Sequence, residues 1–157
     1  MTRFEKTHPS IDVADITKLE EQFEINFPDE YRNHLLRYNG GMPKPDIFSF
    51  VEDGKNTDSR VSFFYGIKSG DYDDLLDALL VFKGDHKRMP SQIIPIAEDA
   101  FGNVICVSSG DRDYGHVYFW DHEREVNYNL SNDNDYSNLY FIAVDINTFL
   151  TNLRVQV

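Results

Sequence analysis

The chain has 157 residues, of which 41% are hydrophobic, and it contains 12 Phe, 9 Tyr and 1 Trp. This length favours a single domain over residues 1–157, and the apolar content excludes intrinsic disorder. Fifteen Lys and Arg against 27 Asp and Glu give a formal net charge of -12. A surface for DNA or RNA would have to form against this repulsive field, so we expect no nucleic-acid binding.

The start of the chain and its one cysteine indicate the compartment. Residues 1–6 lack the apolar run of a signal peptide, and no stretch reaches the ~18 apolar residues of a membrane span. Cys106 lies in an apolar run that is typical of a strand, so we expect a buried, unreactive thiol in a reducing setting. The sequence therefore predicts a cytoplasmic protein that does not associate with membranes.

Three helices are predicted in the first half of the chain. Asp12 is a suitable N-cap for a helix over residues 13–24, whose apolar residues recur at steps of three and four. Pro28 suits the start of a second helix, and the Asn-Gly-Gly run at residues 39–41 ends it. A third helix is predicted over residues 71–82, because its leucines form a wide apolar face.

The predicted strands cluster in the middle of the chain. Two aromatic-rich runs, 46–50 and 60–65, flank polar turn residues and are typical of a hairpin. Three short strands follow at 93–97, 104–108 and 115–120. The loop that joins the last two is short, which favours antiparallel pairing.

The final segments are predicted to lie at the edge of the sheet and on the surface. Residues 125–130 alternate polar and apolar, as in an edge strand with one wet face. Residues 131–138 are polar apart from one Tyr, so we expect a mobile surface loop that adds little to the core. Asp145 is then the N-cap of a closing helix. Helices and strands are segregated in blocks, which predicts an α+β fold with a mainly antiparallel sheet packed with about four helices.

Several segments, in this order along residues 13–153, resemble the SUKH superfamily. That superfamily includes fungal regulators of cell-wall glucan synthesis and many bacterial immunity proteins. The segments that carry the resemblance are Ile16-x-x-Leu19-Glu20, Phe27-Pro28-x-x-Tyr31, Asn39-Gly40-Gly41, Phe63-Phe64-Tyr65-Gly66, Ile94-Pro95-Ile96-Ala97-Glu98-Asp99, and Val117-Tyr118-Phe119-Trp120-Asp121-His122-Glu123. Two stretches depart from the pattern of the superfamily. The turn that is usually rich in glycine reads Ala100-Phe101-Gly102-Asn103, and the Asn-rich loop at 131–138 is specific to this chain.

The resemblance implies a single SUKH-like, protein-binding domain, and because the sequence has no dinucleotide fingerprint or phosphate loop we expect no cofactor. In bacteria, members of this superfamily commonly neutralise a toxin by stoichiometric binding. Such toxins are often nucleases or deaminases with a basic surface. The charge of -12 would draw such a partner electrostatically. Two other functions stay open: a regulatory interaction module like the glucan-synthesis regulators, and an acid-base or metal-dependent hydrolase.

The candidate partner-binding residues are acidic and surround one predicted hairpin. From residue 89 onward there are three Arg, no Lys and ten acidic residues. We expect Asp111, Asp113, Asp121 and Glu123 to contribute to the partner surface, with Tyr114 as an aromatic anchor. The alternatives are that these charges only keep an edge soluble, or that the partner binds the 28–41 helix or the 131–138 loop.

The run Asp121-His122-Glu123 has the residue types of a metal or acid-base site. Consecutive side chains at a strand end point to opposite faces, so the three cannot converge on one ion. The sequence also lacks a phosphate loop, a nucleophile elbow and paired zinc ligands. We therefore expect neither a catalytic nor a metal site.

Overall fold

The computed structural model describes residues 2–156, which form four α-helices and two antiparallel sheets. This confirms the α+β fold with a mainly antiparallel sheet. In chain order the elements are β1 (Arg3–Glu5), α1 (Val13–Phe23), α2 (Asp29–Arg37), β2 (Met42–Lys44), β3 (Ile47–Glu52), β4 (Lys55–Phe64), α3 (Leu75–Lys83), β5 (Ile93–Asp99), β6 (Val104–Ser108), β7 (Val117–Trp120), a 3-10 helix (His122–Arg124), β8 (Leu139–Ala143) and α4 (Ile146–Thr151).

The main sheet is a six-stranded meander in which each strand from β3 to β8 pairs with the next one along the chain. β1 and β2 form a separate two-stranded sheet. The register of the meander shifts at three places, in the pairs β4–β5, β5–β6 and β7–β8, and such irregularities bend strands and increase their twist. The sheet curls so far that the ring of Phe50 on β3 stacks on that of Phe119 on β7, with centroids 4.2 Å apart. The concave side of this curl holds the candidate site.

Aspartate caps fix the starts of three helices. Asp12 accepts the backbone N–H of Asp15, whose own side chain accepts the N–H of Asp12, so α1 begins with a capping box. Asp145 caps α4 by accepting the N–H of Thr148 at 2.7 Å. Both predicted caps are confirmed. The third helix begins at residue 75 and not at 71, because Asp74 is its N-cap.

The Asn-Gly-Gly run after α2 joins three segments that are distant in sequence. The buried Asn39 side chain accepts the N–H of Ile67 at 2.7 Å and donates to the carbonyls of Pro9 and Ile67, both at 2.9 Å. Gly41 has φ +102°, and a Cβ there would lie 2.7 Å from the carbonyl oxygen of Glu5. Only glycine fits this close approach.

Two predictions for the last third of the chain are wrong. Residues 125–130 do not form a strand. The Tyr128 side chain is buried, and the backbone N–H of Tyr128 donates to the Lys87 carbonyl at 2.9 Å, away from the sheet. The last place in the sheet belongs to β8 instead. The 131–138 loop does contribute to the core, since Tyr136 packs against it and Asn138 is fully buried.

The convex face of the sheet packs against α3. Trp120 is fully buried there, with its ring 5.2 Å from that of Phe82 and its Nε1 donating to the Arg88 carbonyl at 3.1 Å. Cys106 is also fully buried, and burial raises the pKa of its thiol, as expected for an unreactive cysteine. Within residues 2–156, no helix is long and apolar enough to cross a membrane.

Candidate functional site

The loop at residues 109–116 joins β6 to β7 and carries three of the predicted site residues. Asp113 is held in place by hydroxyl groups: its Oδ1 accepts from Ser108 at 2.6 Å, and its Oδ2 accepts from Tyr118 at 2.7 Å and Tyr136 at 2.8 Å. Burial raises the pKa of Asp113, but these three hydrogen bonds outweigh that effect and hold it below its usual value. Asp113 therefore fixes the shape of the loop.

Two neighbours of Asp113 face solvent. Asp111 is exposed, and Tyr114 is 53% exposed. The Tyr114 hydroxyl accepts the backbone N–H of Asp29 at 3.0 Å, which ties the loop to the start of α2. An exposed aromatic ring on an anchored loop loses little conformational freedom on binding, which suits it to contact a partner.

Asp121 and Glu123 lie at the other end of β7. Asp121 is buried and its Oδ1 accepts the N–H of Glu123 at 2.9 Å, so it caps the 3-10 helix. The side chain of His122 binds Asn103 Oδ1 at 2.6 Å, and Glu123 is exposed. Residues 122–124 form a 3-10 helix, so the alternation expected at a strand end does not apply, and the side chains of Asp121, His122 and Glu123 all border one cavity.

The predicted site residues thus form two groups. A four-residue strand rises about 3.3 Å per residue, so the 109–116 loop and the Asp121 group are separated by roughly 13 Å or more. They do not form one acidic cluster. Asp111 and Tyr114 form one exposed group, while Asp121 and Glu123 border a cavity on the concave side of the sheet.

This cavity, which we call the groove, has a volume of about 450 Å³. The stacked rings of Phe50 and Phe119 line its apolar side. Its polar side includes Glu52 from the end of β3, with Asp121 and Glu123 from the segment after β7. The curl of the sheet brings these residues together from strands that are far apart in sequence.

Glu52 and Asp121 are close enough to affect one another. Partial burial and then the negative charge of Asp121 raise the pKa of Glu52, and the opposing effect of Arg124 does not cancel the shift. Arg124 is already engaged, because its guanidinium donates to Asp53 and to the Tyr140 hydroxyl, each at 2.9 Å. Arg124 Nε also lies 3.9 Å from Asp121 Oδ2, so one of the two neighbouring carboxyl groups of the groove already has a cationic partner.

Another carboxylate of the groove is fully used by the fold. Asp99 accepts the backbone N–H groups of Phe101 and Asn103, the Ser59 hydroxyl and the Asn103 side-chain amide, at 2.8 to 3.0 Å. Among residues 2–156, no group of three or more His, Cys, Asp or Glu side chains is placed to hold a metal ion. The geometry of the groove suits recognition of a cationic group.

A second cavity, of about 630 Å³, lies next to the groove. Phe101 stands between the two cavities and is 71% exposed, while Arg60 and Arg154 line the second one. Three residues that line these cavities were not predicted as site residues: Phe50, Glu52 and Phe101. For Phe101 a signal existed, because this bulky residue occupies a turn that is usually rich in glycine.

Comparison with known proteins places the chain in a family. A family model described as SMI1 / KNR4 family (SUKH-1) matches residues 10–152. The chain is also similar to the SPbeta prophage-derived uncharacterized protein YokK of Bacillus subtilis (strain 168), with 30% identity over 137 residues. This similarity covers 74% of the present chain and 65% of the relative, so the chain spans less than two thirds of the length of that protein.

Proposed function

The chain belongs to the SMI1/KNR4 (SUKH-1) family, and from this membership we propose that it is a bacterial, cytoplasmic immunity protein. In this proposal it neutralises a cognate toxin by stoichiometric binding and has no catalytic activity of its own. The toxin carries a basic surface, as nuclease and deaminase domains do. The prophage origin stated in the name of the Bacillus subtilis relative supports a bacterial setting.

One observation supports the proposal: Glu52, Asp121 and Glu123 border a groove on the concave side of the sheet. The exposed Asp111 and Tyr114 lie at the other end of β7 and are a separate candidate contact region. A partner with complementary positive charge would gain both association rate and orientation from such a surface.

The direct test is co-expression with the product of the neighbouring gene, which the proposal takes to be a toxin. We expect the protein to restore growth and to co-purify with the toxin in a fixed ratio. Growth inhibition that persists despite equal expression would refute the immunity role. Co-purification with a cellular regulatory protein and no effect on any toxin would favour the regulatory interaction module.

Association kinetics test whether charge steers the partner. The Debye length falls from ~10 Å at 0.1 M salt to ~3 Å at 1 M, so association should slow markedly over this range while dissociation changes less. Asp111→Lys should slow association more than Glu21→Lys, which makes the same charge change on an exposed position of α1. Equal effects of the two variants would remove Asp111 from the interface.

The aromatic anchor has a different kinetic signature. Tyr114→Ala should mainly accelerate dissociation and cost more than ~1 kcal/mol of binding free energy if the ring is a central contact. The comparison variant is Tyr72→Ala, because the Tyr72 ring is exposed to a similar degree in the segment before α3. Unchanged dissociation for Tyr114→Ala would show that the partner binds elsewhere.

A further inference from the structure

We propose that two copies of the chain form a dimer through the surface on either side of Phe101. A two-fold axis along the border between the groove and the second cavity places the groove of each copy opposite the second cavity of the other. This dimer goes beyond the proposed function and does not depend on it. Three features of the surface lead to it: an exposed aromatic ring on a fixed turn, cavities on both sides of the ring, and opposite charges at the two cavities.

The first feature is the ring of Phe101, which is 71% exposed. The turn that carries it is held by Asp99, whose Oδ1 accepts the backbone N–H of Phe101 at 2.9 Å and that of Asn103 at 2.8 Å. The N–H of Ala100 also donates to the Arg60 carbonyl, at 3.0 Å. A large apolar ring on a fixed turn loses little backbone freedom on binding, and its burial removes apolar surface from water. Phe101 therefore suits a contact between proteins.

The second feature is the shape of the surface around Phe101. The ring lines both the groove, of about 450 Å³, and the second cavity, of about 630 Å³. The second cavity has further apolar lining: Val155 is 69% exposed, and Ile47 and Ala100 contribute to the wall. A two-fold axis beside Phe101 brings the rings of the two copies into contact at the centre of the interface, where aromatic anchors contribute most to binding.

The third feature is the difference in charge between the two sides, and it begins with the second cavity. Arg60 lines this cavity, and its Nε lies 3.6 Å from Oδ2 of Asp46, while Lys44 Nζ lies 3.6 Å from the same oxygen. Two cations therefore share one carboxylate. Arg154, which also lines the cavity, is matched by Asp58 at 2.8 Å. Among these five side chains the positive charges exceed the negative ones by one.

The groove on the other side of the ring is acidic. Glu123 is exposed at its border, and Glu52 and Asp121 also line it. Arg124, the next residue along the chain, pairs with Asp53 and lies 3.9 Å from Asp121. Because the two-fold axis exchanges the two sides, the excess positive charge of one copy faces the acidic groove of the other, and this contact occurs twice in each dimer.

The net charge of -12 opposes the association of two copies, but this repulsion acts mainly over long distances. At 0.15 M salt the Debye length is ~8 Å, so charges that are farther apart are largely screened while the contacts at the interface are not. We therefore expect a reversible dimer that forms at high protein concentration. A partner that binds the groove would have to separate the two copies.

Sedimentation equilibrium of the full chain at concentrations up to about 1 mM measures the dissociation constant of the dimer. Phe101→Ala should raise this constant about tenfold, because each dimer loses two central rings. Leu130→Ala is the matched control, since Leu130 is 87% exposed and lines neither cavity, and it should leave the constant unchanged. A wild type that is monomeric throughout, or equal constants for the two variants, would overturn the proposal.

Charge reversal tests which sides face each other. Arg60→Glu and Glu123→Arg should each raise the dissociation constant about tenfold, because like charges then meet at both symmetry-related contacts. Arg112→Glu makes the first of these changes at an exposed position outside both cavities. We expect it to change the constant by less than about twofold.

A mixture of the two reversed variants gives the sharpest test. Equal amounts of Arg60→Glu and Glu123→Arg should associate as tightly as the wild type, because both contacts between the two variants then join opposite charges. Recovery in the mixture also shows that each variant is folded, so unfolding cannot account for the weaker dimers. A mixture that associates no better than the separate variants would refute the proposed arrangement.

Discussion

His34 should make the stability of the protein depend on pH in a range where most carboxylates are still charged. It lies in the last turn of α2, is 8% exposed, and packs against the rings of Phe4 and Phe64 at 5.0 Å. Its Nε2 has no hydrogen-bond partner within residues 2–156. Burial, and to a lesser degree the charge of Arg37, lowers the pKa of His34 from 6.5 to about 4.

The sign of the effect follows from this lowered pKa. Below pH 6.5 the unfolded chain binds a proton at His34 while the folded protein does not, so falling pH favours unfolding until the folded pKa near 4 is reached. One pKa unit corresponds to ~1.4 kcal/mol. Going from pH 7 to pH 4.5 should therefore remove roughly 2.5 kcal/mol of unfolding free energy through His34 alone.

The measurement is urea unfolding of the wild type and His34→Phe at pH 7.0 and pH 4.5. Phenylalanine keeps an aromatic ring among aromatic neighbours and does not titrate. Effects of the carboxylates are common to both proteins and cancel in the difference. We expect the wild type to lose roughly 2.5 kcal/mol more than the variant between the two pH values.

A control separates burial from the mere presence of a histidine. His86 is exposed, so His86→Gln should keep the full pH-dependent loss of the wild type. If His34→Phe loses as much stability as the wild type, to within ~0.5 kcal/mol, the reasoning from the burial of His34 is refuted.

Three further predictions concern the core, the Asn39 contacts and the absence of catalysis. Trp120→Ala should cost on the order of 3 to 5 kcal/mol in urea unfolding, because the ring is fully buried, and a loss below ~1 kcal/mol would contradict this. Asn39→Ala should cost about 2 to 4 kcal/mol of unfolding free energy, since it leaves the buried N–H of Ile67 without an acceptor. It also removes the hydrogen bond to Pro9, so the N-terminal segment should be cleaved faster by a protease than in the wild type, and equal cleavage rates would argue against this role. The purified protein should show no hydrolase, nuclease or transferase turnover that depends on His122, so activity abolished by His122→Ala would disprove the non-catalytic proposal.

The helices were predictable because their signals are local. Asp12 and Asp145 act as caps within a few residues of the chain, and apolar spacing identifies the buried face of each helix. The three central strands were equally clear, because short apolar runs with brief connections favour antiparallel neighbours. Such features need no knowledge of the tertiary structure.

The two errors near the C-terminal end show where local pattern fails. Residues 125–130 alternate perfectly, yet Leu130 is 87% exposed, and the backbone N–H of Tyr128 donates to the carbonyl of Lys87 in the loop after α3 instead of to a strand. Residues 139–143 form the real strand, and their continuous apolar run between turn residues was a usable signal. Alternation alone did not reveal which of two nearby segments would find a place beside β7.

The groove could not be predicted, because it exists only through the curl of the sheet. Glu52 and Asp121 are separated by most of the meander, so their proximity has no signal in the sequence, although Asp121 itself was a predicted site residue. The register shifts that bend the strands leave no reliable pattern in the residues. The acidic composition predicted the sign of the net charge, while the shape of the groove depended on tertiary structure.

The meander order has a consequence for how the protein folds. Every strand of the main sheet pairs with its neighbour along the chain, so each pairing closes only the loop between two consecutive strands. The stacking of Phe50 on Phe119 is different, because it joins the first strand of the meander to the fifth and must close a much longer loop. Since nonlocal contacts form more slowly than local ones, we expect the strands to pair first and the groove to take shape late in folding.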